Sequence, residues 1–72
     1  MKQNSETLIK FGEKVRELRM QRSLSQEQLA SIADVHRTYI GMIERAEKNI
    51  TLLNIEKLAI ALKININDFF NG

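Results

Sequence analysis

The side chains best suited to chemistry in this sequence are hydrogen-bonding groups near its middle. Arg37 and Thr38 stand close to the start of a stretch with helical spacing, and Met42 follows one turn later. The arginine fork can bond guanine O6 and N7 together, while threonine offers a hydroxyl to a base or a methyl group to thymine. These residues predict direct contact with base edges. The structural alternatives are a solvated or phosphate-bound arginine, a neutral surface threonine and a methionine that packs.

Three other polar side chains can hold the backbone of a nucleic acid. Gln26 lies at the start of a predicted helix, where exposed backbone amides attract anions. Tyr39 can send its hydroxyl to a phosphate, or it can pack as a half-buried aromatic ring. Thr51 is placed first as a helix cap and second as a phosphate contact.

The residue types that enzymes and metal sites need are absent or isolated. The sequence has one histidine, His36, and no cysteine, so it offers no cluster of metal ligands. Its serines have no base at a supportive spacing, and Glu13 with Glu17 on one helix face indicates ordinary solvation. We therefore predict no enzymatic activity, no catalytic residues, no metal and no cofactor.

Two short helices joined by a tight turn are required to position the side chains around Arg37, and residues 25–45 have that pattern. Ser25 is a good N-cap for a helix that begins at Gln26. Asp34 interrupts the apolar pattern and tolerates the left-handed backbone that such a turn often needs. The predicted inner side of this first helix is formed by Leu29, Ala30, Ile32 and Ala33.

The second helix of the pair follows from His36, and Val35 fills the corner between the two. Ile40 and Ile43 lie three residues apart on its predicted inner face. An exposed helix of this size fits the DNA major groove, where its N-terminal side chains reach the bases. The side chains that this arrangement turns outward are Arg37, Thr38, Gly41 and Met42.

This segment resembles the phage-repressor-like helix-turn-helix family. The likeness extends roughly from Phe11 to Phe70, and two runs, Arg37-Thr38-Tyr39-Ile40 and Ile43-Glu44-Arg45, are similar to the small controller proteins of bacterial restriction-modification systems. The residues that carry the broader resemblance are Gln26 at the start of the first helix, Ala30 at the crossing, Val35 after the turn, and Ile40 and Ile43 as inner anchors.

The resemblance implies further contacts. Gln26 takes the place of the family's usual phosphate anchor, and Lys48 and Asn49 occupy the loop where controllers place side chains against DNA, although an ordinary polar turn is the alternative. Glu44 is expected to connect the second helix of the pair, which is the recognition helix, to the helix that begins the chain at Glu6 or Thr7. Ala46 stands where family members commonly carry glycine.

The resemblance also implies a function. We expect a lambda-repressor-like DNA-binding domain and a transcriptional regulator of the controller type, which binds palindromic double-stranded DNA as a homodimer. An activator of this kind would also meet RNA polymerase. The alternatives are a phage-type or general repressor, and a protein-interaction module that uses the same fold.

Apolar spacing predicts three more helices and no strand, which gives an all-α, compact five-helix bundle. Helix one runs from Glu6 or Thr7 to about Gln21. A fourth helix follows the Thr51 cap and ends near Leu62, and Asn65 with Asp68 begins a short fifth one. The predicted core stripe of the fourth helix is Leu52, Ile55, Leu58, Ala59 and Leu62.

The end of the chain carries more apolar area than a one-turn surface helix needs. We therefore predict a two-fold dimer patch in this region. Its residues are Ile60, Ile64, Phe69 and Phe70.

Size and charge agree with this interpretation. The 72 residues are expected to form a single domain, residues 1–72, and at this length only about 60% of the unfolded surface is buried, so a partner subunit would help. The net charge of +2 is compatible with nucleic acid. No apolar run approaches the ~20 residues of a membrane helix, and the polar N-terminus has no signal-peptide pattern. We expect a cytoplasmic protein and assign no role to residues 1–5.

Overall fold

The computed structural model describes residues 5–70, which form four α-helices and one short 3-10 turn. The helices are α1 (Glu6–Gln21), α2 (Gln26–Ala33), α3 (Arg37–Glu44) and α4 (Leu52–Leu62), and the 3-10 turn is Ile66–Phe69. The described residues contain no strand, as predicted. The predicted fifth helix is present only as this 3-10 turn, which begins after Asn65 as predicted, so the described residues form four α-helices and not five. None of the described helices combines the length and apolar character that crossing a membrane requires.

Side-chain caps set where the helices begin. The Ser25 hydroxyl accepts the Gln28 backbone N–H at 3.0 Å, while the Gln28 side-chain oxygen accepts the Ser25 N–H at 2.8 Å. This reciprocal pair is a capping box, and the predicted start at Gln26 is confirmed. Thr51 caps α4 as predicted. Ser5 caps α1, a role that the sequence did not assign, and the other residues of that segment lie outside the described part.

Left-handed residues set where α2 and α4 end. Asp34 has φ 60° and ψ 48°, which confirms the prediction for the turn of the helix-turn-helix. Lys63 has nearly the same backbone angles after α4. Arg22 also caps the end of α4, since its Nε donates to the carbonyl of Leu62, the last residue of that helix, at 2.7 Å. Its Nη1 donates to the Leu18 carbonyl at 3.0 Å, so the ends of α1 and α4 are held together.

The core is one cluster of buried side chains contributed by all four helices and the 3-10 turn. The α3 helix packs against α1 and α2, α4 packs against α2, and the 3-10 turn packs against α1 and α4. Ile40 and Ile43 are both fully buried, so the predicted inner face of α3 is confirmed. The largest fully buried side chains are Leu29, Ile40, Ile43, Leu58, Leu62 and Val15.

Two residues predicted to be in the core are exposed. Ile32 and Leu52 both lie largely in solvent. Successive residues of an α-helix are about 100° apart around its axis. Ile32 and Leu52 each lie about 100° from the middle of the buried face of their helix, and the other apolar side chains fill that face without them. Leu53 and Ile60 lie roughly 160 to 180° from the core direction of α4, and both are exposed.

Gly12 lies inside α1, where the absence of a side chain allows α1 and α3 to approach closely. A Cβ added there would collide with the Ile43 carbonyl oxygen and lie 3.0 Å from the Glu44 carbonyl oxygen. Backbone atoms cannot rotate aside. Gly12→Ala is therefore expected to lower the free energy of unfolding by about 1 to 3 kcal/mol, as overpacking does, despite the better helix propensity of alanine.

Chemical denaturation followed by circular dichroism measures this change, and Gly41→Ala is the matched control. A Cβ at Gly41 meets the flexible end of Arg45, with Nη1 at 3.0 Å. That side chain can swing away, so Gly41→Ala should be neutral or stabilising. Equal destabilisation by the two substitutions would contradict the close approach at Gly12.

Ala46 is an alanine in a left-handed backbone conformation that favours glycine, with φ 60°. The turn after α3 imposes this conformation, since the Glu47 N–H donates to the Met42 carbonyl at 2.8 Å. A non-glycine residue in left-handed backbone destabilises the folded chain by about 1 to 2 kcal/mol. Glycine avoids this strain, but it also raises the conformational entropy of the unfolded chain, which offsets part of the gain. Ala46→Gly should therefore raise the free energy of unfolding by about 0.5 to 1 kcal/mol.

The same denaturation experiment on Ala59→Gly provides the control for Ala46. Ala59 lies inside α4 in right-handed helical backbone, where glycine is disfavoured by about 1 kcal/mol. The two substitutions should have opposite signs. A loss of stability at both positions would refute the account of the turn.

Candidate nucleic-acid interface

The first turn of α3 projects both predicted base-reading side chains into solvent. His36 is the N-cap, with its Nδ1 accepting the Thr38 backbone N–H at 3.1 Å, so the helix begins one residue later than predicted. Arg37 and Thr38 follow directly and are exposed, the Arg37 side chain by 68%. A helix end held by its own cap presents these two side chains on a fixed backbone.

The outward face of α3 is narrower than the sequence predicted. Gly41 is buried, because the side chains of Arg45 and Gln26 lie over it. Met42 is half-buried. Long side chains from the neighbouring turn and from α2 therefore cover Gly41, a position that helical periodicity alone turns outward.

A buried ion pair fixes α3 against α1. Glu44, whose side chain is 4% exposed, accepts from Arg19 Nε at 2.7 Å and from Arg19 Nη2 at 3.1 Å. Arg19 also donates through Nη1 to the Leu24 carbonyl at 2.8 Å, so it holds the segment before α2 as well. The expected tie from Glu44 to the first helix is confirmed. Arg45, the residue after Glu44, is exposed and forms an ion pair with Glu47, at 3.1 Å.

Gln26 joins the same network from α2. Its Nε2 donates to Glu44 Oε1 at 3.0 Å, which leaves Gln26 partly buried across the face of α3. One carboxylate therefore accepts from Arg19 and Gln26 together. The side-chain amide of Gln26, the predicted phosphate anchor, is therefore held in place before any ligand binds.

A concave feature of this face lies between α2 and α3. It has a volume of about 570 Å³ and brings three predicted contact residues together: Gln26, Arg37 and Thr38. Arg37 Nη1 lies 3.6 Å from a carboxylate oxygen of Glu27, and both side chains are well exposed. Such a pair is weak in water, so the guanidinium can exchange Glu27 for a ligand at little cost. The remaining lining residues are Arg19, Ser25, Glu27, Gly41 and Arg45.

A second cluster lies at the start of α4. The Tyr39 hydroxyl oxygen accepts from Asn54 Nδ2 at 3.0 Å, and the Asn54 backbone N–H donates to Thr51 Oγ1 at 3.1 Å. Two predicted phosphate contacts, Tyr39 and Thr51, are thus connected through one asparagine. Lys48 and Asn49 are exposed in the loop that leads to them.

Sequence reasoning did not assign Arg19 or Asn54. A signal for Arg19 was present, because it follows Leu18 and lies four residues after Val15, at the border of the buried stripe of α1. Asn54 gave no local signal. Its partner is 15 residues away on another helix, and only the packing brings them together.

The predicted dimer patch divides into surface and core. Ile60 is 70% exposed and Phe70 is exposed, whereas Ile64 is half-buried against the core. Phe69 is 5% exposed, with its ring centroid 4.9 Å from that of Phe11, so its assignment to a surface patch is corrected. In a 3-10 helix, residues three apart eclipse each other, which places Phe69 with the inward Ile66.

Known proteins share both the sequence and the shape of this chain. A helix-turn-helix family model matches residues 15–69. Control protein C.BamHI of Bacillus amyloliquefaciens is 48% identical over 62 residues, covering 85% of this chain and 76% of that protein. Control protein C.SmaI of Serratia marcescens is 52% identical over 56 residues, covering 78% and 67% respectively.

A solved structure agrees with these relatives. The restriction-modification controller protein C.AhdI from Aeromonas hydrophila superposes with a TM-score of 0.90 at 45% identity, over 92% of this chain and 100% of that one. The chain therefore belongs to the helix-turn-helix family and, within it, to the restriction-modification controller proteins.

Proposed function

We propose that this chain is a transcriptional regulator of a restriction-modification system that acts in the cytoplasm and binds palindromic operators as a homodimer. Each subunit inserts the first turn of α3 into the major groove. The observation that carries this proposal is the exposed pair Arg37 and Thr38, next to Gln26, on a helix fixed by the buried Arg19–Glu44 pair. Where the bound dimer activates transcription, RNA polymerase is its further partner.

The contacts fall into two groups. Arg37 and Thr38, with Met42 at the edge of the face, specify the sequence through base edges. The other group holds the backbone and carries no sequence information. Its members are Gln26, Tyr39, Lys48, Asn49 and Thr51.

The homodimer joins two copies through the exposed apolar side of α4 and through Phe70. Ile60 and Phe70 lie on this surface, and Leu53 is exposed on the same side of α4 as Ile60. A chain of 72 residues buries a limited core, so covering this surface stabilises the fold. A palindromic site with half-sites one helical turn apart requires the two α3 helices of this dimer to lie about 34 Å apart.

Selection of bound duplexes from random DNA tests the function. We expect enrichment of two inverted half-sites whose centres are about 10 base pairs apart. Binding to the selected duplex should weaken steeply as salt rises, because the phosphate contacts release counterions. A chain that enriches no sequence and shows no salt-sensitive binding would favour the protein-interaction module.

Sedimentation velocity tests the dimer surface. Ile60→Glu should shift the chain toward the monomer, since it places a charge in an apolar contact. Ile32→Glu makes the same chemical change at another exposed isoleucine, on α2, and should leave the mass unchanged. A dimer that survives Ile60→Glu would exclude this side of α4.

A further inference from the structure

The contact between Tyr39 and Asn54 has a defined donor and a defined acceptor. Asn54 Nδ2 donates to the Tyr39 hydroxyl oxygen at 3.0 Å. A phenolic hydroxyl has one hydrogen to donate and two lone pairs, whereas the amide nitrogen only donates. The bond therefore uses a lone pair of Tyr39 and leaves its single hydrogen available for another acceptor.

Asn54 is itself held in place. It lies in the first turn of α4, where its backbone N–H donates to Thr51 Oγ1 at 3.1 Å. Both Tyr39 and Asn54 are half-buried, so their rings and amides have limited freedom. The recognition helix and the start of α4 are thus linked by one side chain at the edge of the DNA-facing surface.

We propose that Asn54 is a positioning residue for DNA binding: it fixes the Tyr39 ring and reserves the hydroxyl hydrogen for a phosphate oxygen. This inference rests on the proposed function. A hydrogen bond to a charged phosphate oxygen is stronger than one between neutral groups. A hydroxyl group that already accepts a hydrogen bond is polarised by it and donates its own hydrogen more strongly. Replacing the amide nitrogen by an acceptor would use up the hydroxyl hydrogen inside the protein.

Asn54→Asp makes this replacement with little change of shape. The backbone N–H that bonds Thr51 remains, and an acidic side chain in the first helical turn favours α4, so the fold is retained. The new carboxylate can only accept, and Tyr39 must donate to it. We expect roughly a tenfold or greater loss of affinity for the duplex selected by the unsubstituted chain.

The new charge also repels DNA directly, and a double-mutant cycle with Tyr39→Phe separates the two effects. In the Tyr39→Phe background only the repulsion remains, so Asn54→Asp should cost several-fold less there than in the native background. Asn49→Asp introduces the same charge in the neighbouring loop, and its cost should be equal in both backgrounds. Melting curves of each variant verify that it is folded.

The outcomes separate the inference from the proposed function. A smaller cost of Asn54→Asp in the Tyr39→Phe background, together with an unchanged cost of Asn49→Asp, supports the positioning role. An equal cost of Asn54→Asp in both backgrounds, with DNA binding intact, overturns that role alone. Absence of salt-sensitive DNA binding by the unsubstituted chain overturns both.

Discussion

Glu44→Ala is expected to lower the free energy of unfolding by about 3 to 5 kcal/mol, the usual cost of removing one partner of a buried ion pair. The substitution leaves the Arg19 guanidinium, whose side chain is 12% exposed, without its carboxylate. It also removes the acceptor of Gln26. Because a small domain has about 5 kcal/mol of stability in total, the variant should keep only about 0 to 2 kcal/mol, so that up to about half of the molecules are unfolded at room temperature. Urea denaturation followed by circular dichroism measures the loss.

Glu47→Ala is the control for Glu44→Ala. It also removes a carboxylate paired with an arginine, but the Arg45–Glu47 pair is more than half exposed and lies at 3.1 Å. Exposed pairs contribute about 0 to 1 kcal/mol, so the change should be small. Similar losses at the two glutamates would contradict the structural role of the buried pair.

A double substitution tests the mechanism further. Arg19→Met combined with Glu44→Leu removes both charges and fills the space with apolar groups of similar length. Replacement of a whole buried pair in this way is often neutral or stabilising. The double variant should recover much of the stability that Glu44→Ala loses.

Arg37→Ala is expected to cost about 1 to 3 kcal/mol of discrimination between the operator and duplexes altered at one base pair of each half-site. The guanidinium is exposed at the first turn of α3, and its contact with Glu27 at 3.6 Å is weak enough to be exchanged for guanine. The measurement is a set of binding curves for the operator and its single-pair variants, at one fixed salt concentration.

Arg37→Lys separates base reading from charge. Lysine keeps the positive charge and the attraction to phosphate but lacks the planar fork that bonds O6 and N7 together. It should bind unselected DNA nearly as well as the native chain while losing most of the discrimination. If Arg37→Ala weakens all duplexes equally, Arg37 is a phosphate contact and another residue reads the bases.

The helix-turn-helix could be predicted because its determinants are local. Ser25 and Gln28 cap α2 within one turn, and Asp34 adopts its left-handed backbone next to the residues it connects. The inward direction of Ile40 and Ile43 follows from helical geometry. The exposed position of Arg37 and Thr38 follows from the same geometry, one side of a short helix being buried.

Other features depend on which elements meet. Periodicity places Leu52 and Ile32 near the edge of an apolar face, but only the width of the neighbouring helix decides whether such an edge is covered. Phe69 is in the core because the 3-10 turn packs on Phe11 of α1. Gly41 is covered by side chains from another turn and another helix.

The sequence by itself determined the starts of α2 and α4, the tight turn and the two exposed side chains at the start of α3, since each depends on residues a few positions apart. Only the tertiary structure decided that Arg19 neutralises Glu44 and that Asn54 meets Tyr39, across separations of 25 and 15 residues. The physical reason is that many polar side chains in the sequence had the right chemistry for each bond. Packing of the helices selected the pairs that come within bonding distance.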